Sequence, residues 1–336
     1  MKSMKKKSTL DQKIPTQIEL LKGRFDGSKE RLEVWYDTFT DEKLKAGFWI
    51  HHEMVSPEDA KPYVHGWLAY FFNSEIFTDD ENTISVGFER FGPVEFESSE
   101  FFECGEVKVA PNIRRGKTDN LSWDLKTDEF TDPPIYTFTK LAWDKEILPS
   151  CQIVAGPNLT YNGTITVMNK EFEISNAKGA LARIYGHGNA KKWAWLHLDL
   201  GGKDMLEIVT AVSTKPGLDR LKPFAFVQLR YNNEDWPSNP LTAFPFFKTK
   251  LSKKQDNNYW SVSGKFGDYR IEVKVKLDKE KCVEVEYTDP DGKKAVCVNT
   301  EIGDAEVFLE KKVSNKWVEE KRWIISNRAH CEMGFR

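Results

Sequence analysis

Residues 193–200 read Trp-Ala-Trp-Leu-His-Leu-Asp-Leu, and residues 46–55 read Ala-Gly-Phe-Trp-Ile-His-His-Glu-Met-Val. Both stretches alternate. Successive side chains of a strand project to opposite faces, so Trp193, Trp195, His197 and Asp199 share one side, against Ala194, Leu196, Leu198 and Leu200. In the other stretch Trp49, His51 and Glu53 project together, against Phe48, Ile50, His52 and Met54. The aliphatic side is a packing face. The other side combines indole rings with an imidazole and a carboxylate, which suits the wall of a ligand cavity. A solvated strand face with a surface histidine and acid is the plainer alternative.

The period of two recurs at 63–72, 83–90, 163–168, 205–212 and 223–231, and again at 259–263, 269–277, 282–287, 306–312 and 316–325. Many short strands at regular spacing predict an all-β sandwich or barrel. Tyr161-Asn162-Gly163, Gly201-Gly202 and Asp289-Pro290-Asp291-Gly292 carry turn chemistry, because Asn and Gly tolerate positive φ. Helix is expected only at 138–148, stopped by Pro149, with a short turn at Leu218–Arg220. The Pro-rich stretch 131–160 reads as a linker. It divides the chain into a mobile basic tail (1–16), an N-terminal unit (17–152) and a C-terminal unit (153–336).

The two opening stretches also suggest a duplication. Each has the order Trp, aliphatic, His, any residue, acid: Trp49 to Glu53 and Trp195 to Asp199. A second correspondence follows each, where Lys61-Pro62-Tyr63 and Lys222-Pro223-Phe224 open the next aromatic strand. On this reading MLEIVTAV (205–212) is a strand inserted into the second copy. Repeats of this kind constrain a fold more than local propensity does.

Composition bounds the rest. The 336 residues are 40% hydrophobic and 30% charged, enough apolar content for a packed core. The 49 basic against 52 acidic residues give a net charge of −3, which argues against a nucleic-acid partner. No apolar run approaches the ~20 residues of a membrane helix. The basic start has no apolar segment behind it, so no secretory leader is expected. The five cysteines are odd in number and include no CxxC pair. That points to reduced thiols and a cytoplasmic location rather than a disulfide framework or cysteine zinc site. Asn158 and Asn162 match the glycosylation pattern but read as turn residues. The 22 Phe, 11 Trp and 10 Tyr fit pleated surfaces and apolar pockets.

Three passages carry a family resemblance: GFWIHHEM followed by HGWLAYFF; the run from AGPNLTYNGTITVM to KKWAWLHLDL; and the closing RWIISNRAHCEMGFR. In order and pattern they resemble the tandem lipocalin-like superfamily of carotenoid hydratase (hydroxyneurosporene synthase) and related pericyclases of the Diels–Alderase type. The resemblance implies two lipocalin-like antiparallel β-barrels, a cavity in or between them, and apolar ligands of isoprenoid or polyketide type. Where such proteins show Gly-x-x-Asp-His-x-Trp-Gly, this chain has Gly186-His187-Gly188-Asn189-Ala190, so no catalytic residue is carried over.

The chemistry open to these residues is narrow. The six His include no HExxH pair, and His51 and His52 face opposite ways, so no metal is expected. There is no GxSxG elbow, P-loop or dinucleotide loop, and no cofactor is expected. Acid–base chemistry remains. His51 with Glu53, and His197 with Asp199, lie two apart on one face, about 6.5–7 Å between Cβ atoms. In an apolar cavity such a pair could protonate an alkene, carbonyl or epoxide, with tryptophan faces steadying a cation. The candidate catalytic residues are therefore His197, Asp199, His51 and Glu53. The candidate ligand-binding residues are Trp49, Trp193, Trp195, Tyr63, His65, Trp67, His187 and Asn189. The function expected is enclosure of an apolar small molecule that is hydrated, isomerised or cyclised. The alternatives are a non-catalytic lipid carrier or sensor, and a carbohydrate-binding or -processing β-sandwich with coplanar exposed Trp. Each histidine alone also reads as a satisfied core residue, and the oligomeric state is left open.

Overall fold

A computed structural model describes residues 14–73, 85–146, 148, 150–253 and 257–336. The basic tail through Lys13, residues 83–84 of one expected strand, and Pro149 lie outside the described residues. Thr16 is not tail: it caps the short helix α1 (Gln17–Leu21), accepting from Glu19 N, while the Glu19 carboxylate accepts from Thr16 N.

The chain is mostly strand, as the alternation predicts. One sheet contains β1 (Arg31–Asp41), β2 (Ala46–Ser56), β3 (Tyr63–Phe72), β4 (Val86–Glu95), β5 (Glu103–Cys104), β6 (Val107–Ala110), β7 (Ile113–Lys117), β8 (Leu121–Thr127), β9 (Ile135–Tyr136), β10 (Ser150–Val167) and β11 (Lys170–Gly186). The other contains β12 (Lys192–Gly201), β13 (Asp204–Val212), β14 (Phe224–Tyr231), β15 (Glu234–Trp236), β16 (Phe247–Lys253), β17 (Asn257–Phe266), β18 (Tyr269–Asp278), β19 (Val283–Thr288), β20 (Lys294–Val313) and β21 (Lys316–Phe335). All recorded pairs are antiparallel. Each sheet curls so that its ends approach: β3 and β4 lie near β5, and β14 lies near β16.

The chain changes sheets at residues 187–191, not at 152/153. The expected division falls inside β10, both halves of which pair with β11 in the first sheet. Pro157 is tolerated inside this strand because it sits where the β10–β11 register shifts, between Gly156 and Leu159, so its missing N–H breaks no ladder. Gly163 is likewise no hairpin turn but a bulge next to another register shift. The hairpin closes later, at Met168 and Asn169, both at positive φ. The β20–β21 hairpin closes the same way at Ser314 and Asn315. Asn158 and Asn162 lie within β10. The Gly201-Gly202 and Asp289–Gly292 turns form where expected. The 138–148 helix shortens to α2 (Lys140–Lys145), capped by Thr139 and ended at Glu146 in left-handed conformation.

The strand orders match. The first sheet runs β4-β3-β2-β1-β11-β10-β8-β7-β6-β5 with β9 on β10; the second runs β15-β14-β13-β12-β21-β20-β18-β17-β16 with β19 on β20. The chain is thus built twice on one topology, but the repeat is one strand out from the sequence reading. The Lys-Pro-aromatic correspondence holds, since β3 and β14 occupy equivalent places. The partner of β2, however, is β13, and the partner of β12 is β1. MLEIVTAV is therefore no insertion. Superposing Tyr63 on Phe224 puts Trp67 on Gln228, and the ladders then make His51 equivalent to Glu207 and Tyr36 equivalent to His197.

Each barrel has its own interior core. Phe39, Phe48, Ile50, Tyr161 and Leu181 belong to the first, and Leu196, Leu198, Ile208, Trp260 and Val273 to the second. The first interior also holds two buried ion pairs, Arg114–Asp37 and Arg183–Glu33, with the Tyr161 hydroxyl donating to Asp37. A third core lies between the barrels, where Tyr36, Trp49 and Trp67 meet Trp193, Trp195 and Tyr287. This explains why every residue of β2 is buried. One face fills a barrel and the other meets the second sheet.

Candidate active site

The tryptophan–histidine–acid faces meet at this seam between the barrels, not inside either one. On the first sheet, directly paired residues set one row across the strands: Trp67, His51, Tyr36. On the second, the row runs Gln228, Glu207, His197, His330. The register that follows from alternation thus stacks ionisable groups side by side.

The first row holds a dyad. His51 Nε2 lies 3.4 Å from Glu53 Oε2, and His65 Nε2 lies 3.3 Å from the same oxygen. The His51 ring stacks on Trp67 at 4.1 Å, nearly parallel, and stands edge-on to Tyr287 at 5.5 Å. Burial works to raise the Glu53 carboxyl, but the hydrogen bonds from His51 and His65 outweigh it and hold it at about 2. Burial lowers the His51 imidazole despite Glu53. A neutral His51 that donates from Nε2 keeps a free lone pair on Nδ1, and Nδ1 is buried with no partner among the described residues. His65 also lines this end, and Tyr63 stands beside it at 5.4 Å.

The second row holds the opposite arrangement. His197 Nδ1 lies 3.1 Å from Glu207 Oε2, while Trp195 Nε1 donates to Glu207 Oε1 at 2.6 Å. Burial pushes the Glu207 carboxyl up, against the hydrogen bonds from His197 and Trp195. His197 Nε2 has no partner among the described residues, and the His330 ring lies 6.0 Å from that of His197, nearly parallel. Burial, with His197 beside it, drives His330 well below the usual imidazole range. Thr40 Oγ1 lies 2.8 Å from His330 Nε2. The Gln152 amide joins the rows, donating to the Tyr36 hydroxyl at 3.1 Å and to Glu207 Oε1 at 3.2 Å. Tyr36 stands edge-on to Trp195 at 5.5 Å.

Two further acids lie in the seam. Trp193 Nε1 donates to Glu332 at 2.7 Å, and Thr38 donates to Glu301. Burial raises both carboxyls, Glu301 strongly.

Of the expected catalytic residues, the structure therefore brings His51 with Glu53, and His197 with Glu207 in place of Asp199. Asp199 lies at the end of β12, where its carboxylate accepts from Gly201 N at 2.7 Å and shapes the turn. Trp49, Trp67, Trp193 and Trp195 all line the seam, buried and standing mostly edge-on to neighbouring rings. That is not the open platform of coplanar Trp on which the carbohydrate reading depends. His187 and Asn189 are elsewhere. His187 is exposed, with Nδ1 2.9 Å from Glu30 O. Asn189 donates from its backbone and side chain to Asp289, tying the sheet-to-sheet connection to the β19–β20 turn. His52 faces the first barrel's interior against Phe102, as alternation requires.

Glu207, Glu301, Glu332, Tyr36, Gln152 and His330 were not among the expected site residues. A signal was present for two of them: Glu207 is the one charge inside MLEIVTAV, and Glu301 breaks the uncharged run AVCVNTEIG. The seam abuts a cavity of about 320 Å³ lined by Ile135, Tyr136, Gln228, Arg230 and Trp236. Gln228 there lies directly opposite Glu207 in the β13–β14 ladder. Among the described residues, no group of three or more His, Cys, Asp or Glu is arranged to hold a metal ion, and no helix is long and apolar enough to cross a membrane.

Comparison with known proteins agrees with this architecture. Two uncharacterized proteins of Mycobacterium tuberculosis, from different strains, are each 38% identical over 316 residues, covering 93% of this chain and 89% of theirs. The crystal structure of an AttH-like protein from Nitrosomonas europaea superposes with a TM-score of 0.56 at 12% identity, covering 93% of this chain and 94% of that one. Kievitone hydratase from Nectria haematococca superposes with a TM-score of 0.52 at 10% identity, covering 90% and 88%. Both share the tandem lipocalin-like fold. The family model for tocopherol cyclase-like proteins matches residues 24–335, so this chain, with its doubled barrel and central seam, belongs to the tocopherol cyclase-like family.

Proposed function

We propose that the protein is a cofactor-free proton-transfer enzyme that adds an oxygen nucleophile across an alkene of an apolar ligand held at the seam. The observation that carries this reading is the opposite shift of two seam acids, each hydrogen-bonded to a histidine: Glu53 is held low beside His51 and His65, and Glu207 is pushed up by burial beside His197. Glu53 is a carboxylate that orients His51 as a base, and Glu207 is a carboxyl biased toward its protonated form beside His197. Groups whose surroundings push their proton affinities apart in this way are the mark of an assigned acid and base. The family is named for a cyclase, and one structural neighbour is a hydratase. Both reactions have the same balance. The Glu207 proton goes to one alkene carbon, and the other carbon becomes cationic, facing the rings of Tyr36 and Trp195. Water, or a hydroxyl of the same molecule, forms the new C–O bond. Its proton passes to His51 Nδ1, and exchange with solvent returns a proton to Glu207. The odd cysteine count keeps a reducing cytoplasm as the proposed compartment.

The test is incubation of the protein with 2-prenylphenol in D₂O, followed by mass spectrometry. The expected product carries one carbon-bound deuterium, as a ring-closed isomer or a hydrate. Glu207→Gln and Glu53→Gln should each lower the rate by about 100-fold or more, the usual size of a general acid or base contribution. Equal turnover by both variants would remove the mechanism. A ligand that is retained but returned unlabelled would leave the carrier reading.

A further inference from the structure

Eleven large hydrophobic side chains are exposed among the described residues, and four of them fall in two neighbouring connections of the second barrel. Leu218 and Leu221 lie between β13 and β14, and Leu241 and Phe246 lie between β15 and β16, each 41–55% exposed. Phe224, at the start of β14, meets the Phe244 ring at 5.4 Å, so the two connections lie side by side. Thr210, near the end of β13, donates to Thr249 at 3.1 Å, which brings the start of β16 to the same place.

Cations are set among these side chains. Residues 213–223 and 237–250 hold Lys215, Arg220, Lys222, Lys248 and Lys250 against one acid, Asp219, in a chain whose net charge is −3. All five cations are exposed, and none has an ion pair among the described residues. Asp219 is already paired with Lys191 at 3.1 Å. Glu272, two strands from Lys248 on the same face, is paired with Lys274 at 3.3 Å. The five charges are therefore left for something outside the chain.

Exposed apolar side chains clustered within a polar rim mark a contact surface, and composition decides its kind. Protein interfaces are depleted in lysine. Segments that lie in a lipid interface instead mix apolar side chains with Lys and Arg. Lys215, Leu218, Arg220, Leu221 and Lys222 follow one another in that way. We infer that the two connections form a docking surface for an anionic lipid bilayer, with Leu218, Leu221, Leu241 and Phe246 entering the headgroup region and the five cations facing lipid phosphates. The surface lies outside the seam and rests on no step of the reaction proposed above.

The test mixes the full-length protein with phosphatidylcholine vesicles, and with vesicles that are about a quarter phosphatidylglycerol, and reads binding by co-sedimentation. The anionic vesicles should bind at least about tenfold more tightly, as several cations near a charged bilayer imply. Hydrogen–deuterium exchange should show protection by those vesicles at 213–223 and 237–250. The start of the chain is also basic. Protection confined to residues 1–16 would assign the binding to that stretch and overturn the proposal. So would equal binding to both vesicles, or binding to neither, the result expected if the patch takes an acidic protein. Leu218→Ser with Leu221→Ser should weaken binding about tenfold with the charge unchanged. Lys215→Gln, Arg220→Gln and Lys222→Gln together should weaken it as much and lessen its dependence on salt. Unchanged affinity in either variant would also overturn the proposal. The vesicle comparison and the exchange footprint of the unmodified protein decide the matter even if a variant does not fold. No measurement here reads turnover, so failure leaves the seam reaction standing, and a failed deuterium-labelling experiment leaves this surface standing.

Discussion

Glu301 shows what a single buried acid does to this protein. One carboxyl oxygen accepts from Thr38, the other has no partner among the described residues, and burial holds the pKa well above the ordinary carboxyl range. A group whose folded pKa is raised adds stability below its unfolded pKa and loses it as pH rises through the folded value. At neutral pH Glu301 is thus a liability, and Glu301→Gln should raise the melting temperature by several degrees at pH 7, with the gain vanishing below about pH 4.5. Calorimetry at the two pH values checks this; a variant less stable at pH 7 would contradict it. Glu53 has the opposite sign. Its folded pKa of about 2 lies below the ordinary 4.5, so its contribution is present above about 4.5 and lost as pH falls toward 2. Glu53→Gln should flatten the acid limb of the stability curve over that window. At this scale the sequence was half legible. Alternation put His51 with Glu53 and placed His197 on the inner face. It could not choose between Asp199, along the strand, and Glu207, across it. The cross-strand pair sits closer than the i, i+2 pair, and only register reveals which acid that is.

Among the elements, strands were legible and their ends were not. Most alternating segments fall within strands, yet 150–167 was hidden by Pro157 and by a glycine that resembles a turn. Gly163 has φ +143°, and a Cβ there would stand 2.0 Å from the backbone oxygen of Asp124 on β8. Neither backbone can yield without breaking the β8–β10 ladder. Gly163→Ala should therefore cost about 1–3 kcal/mol, the usual cost of a strained backbone position, read as a lower urea midpoint at unchanged slope. A neutral result would show that the bulge adjusts. The repeat was found but misaligned for a similar reason. β1 carries no tryptophan–histidine signature, whereas the non-equivalent strands β2 and β12 both do. Only the pairing order shows that β12 stands where β1 stands.

Across the whole molecule, the seam binds the barrels into one unit. Gly334 lies opposite Trp193, and a Cβ there would come within 1.9 Å of the indole. Gly334→Ala should displace Trp193 from Glu332 and destabilise by about 1–3 kcal/mol, as overpacking does. Because the third core is shared, the intact protein should melt in a single transition, with residues 14–186 and 187–336 folding only when produced together. Two separated transitions in calorimetry would refute this. The packing between the barrels also repeats itself. β3 meets β19 through Trp67 and Tyr287 at 5.2 Å, and β14 meets β9 through Gln228 and Tyr136 O at 2.7 Å. This is the self-complementary contact of a two-fold dimer, written into one chain.

A contact made twice has two quasi-equivalent ends, and fusion frees each to specialise. Where one copy carries Trp67, an indole plugs the end against Tyr287, with Arg90 lying over it at 5.0 Å. Where the other carries Gln228, the slimmer amide donates to Tyr136 O and lines the 320 Å³ cavity. A true homodimer could not have one end plugged by a ring and the other bordering a cavity. The asymmetry that gives a duplicated shell a front and a back therefore rests on one indole exchanged for one amide.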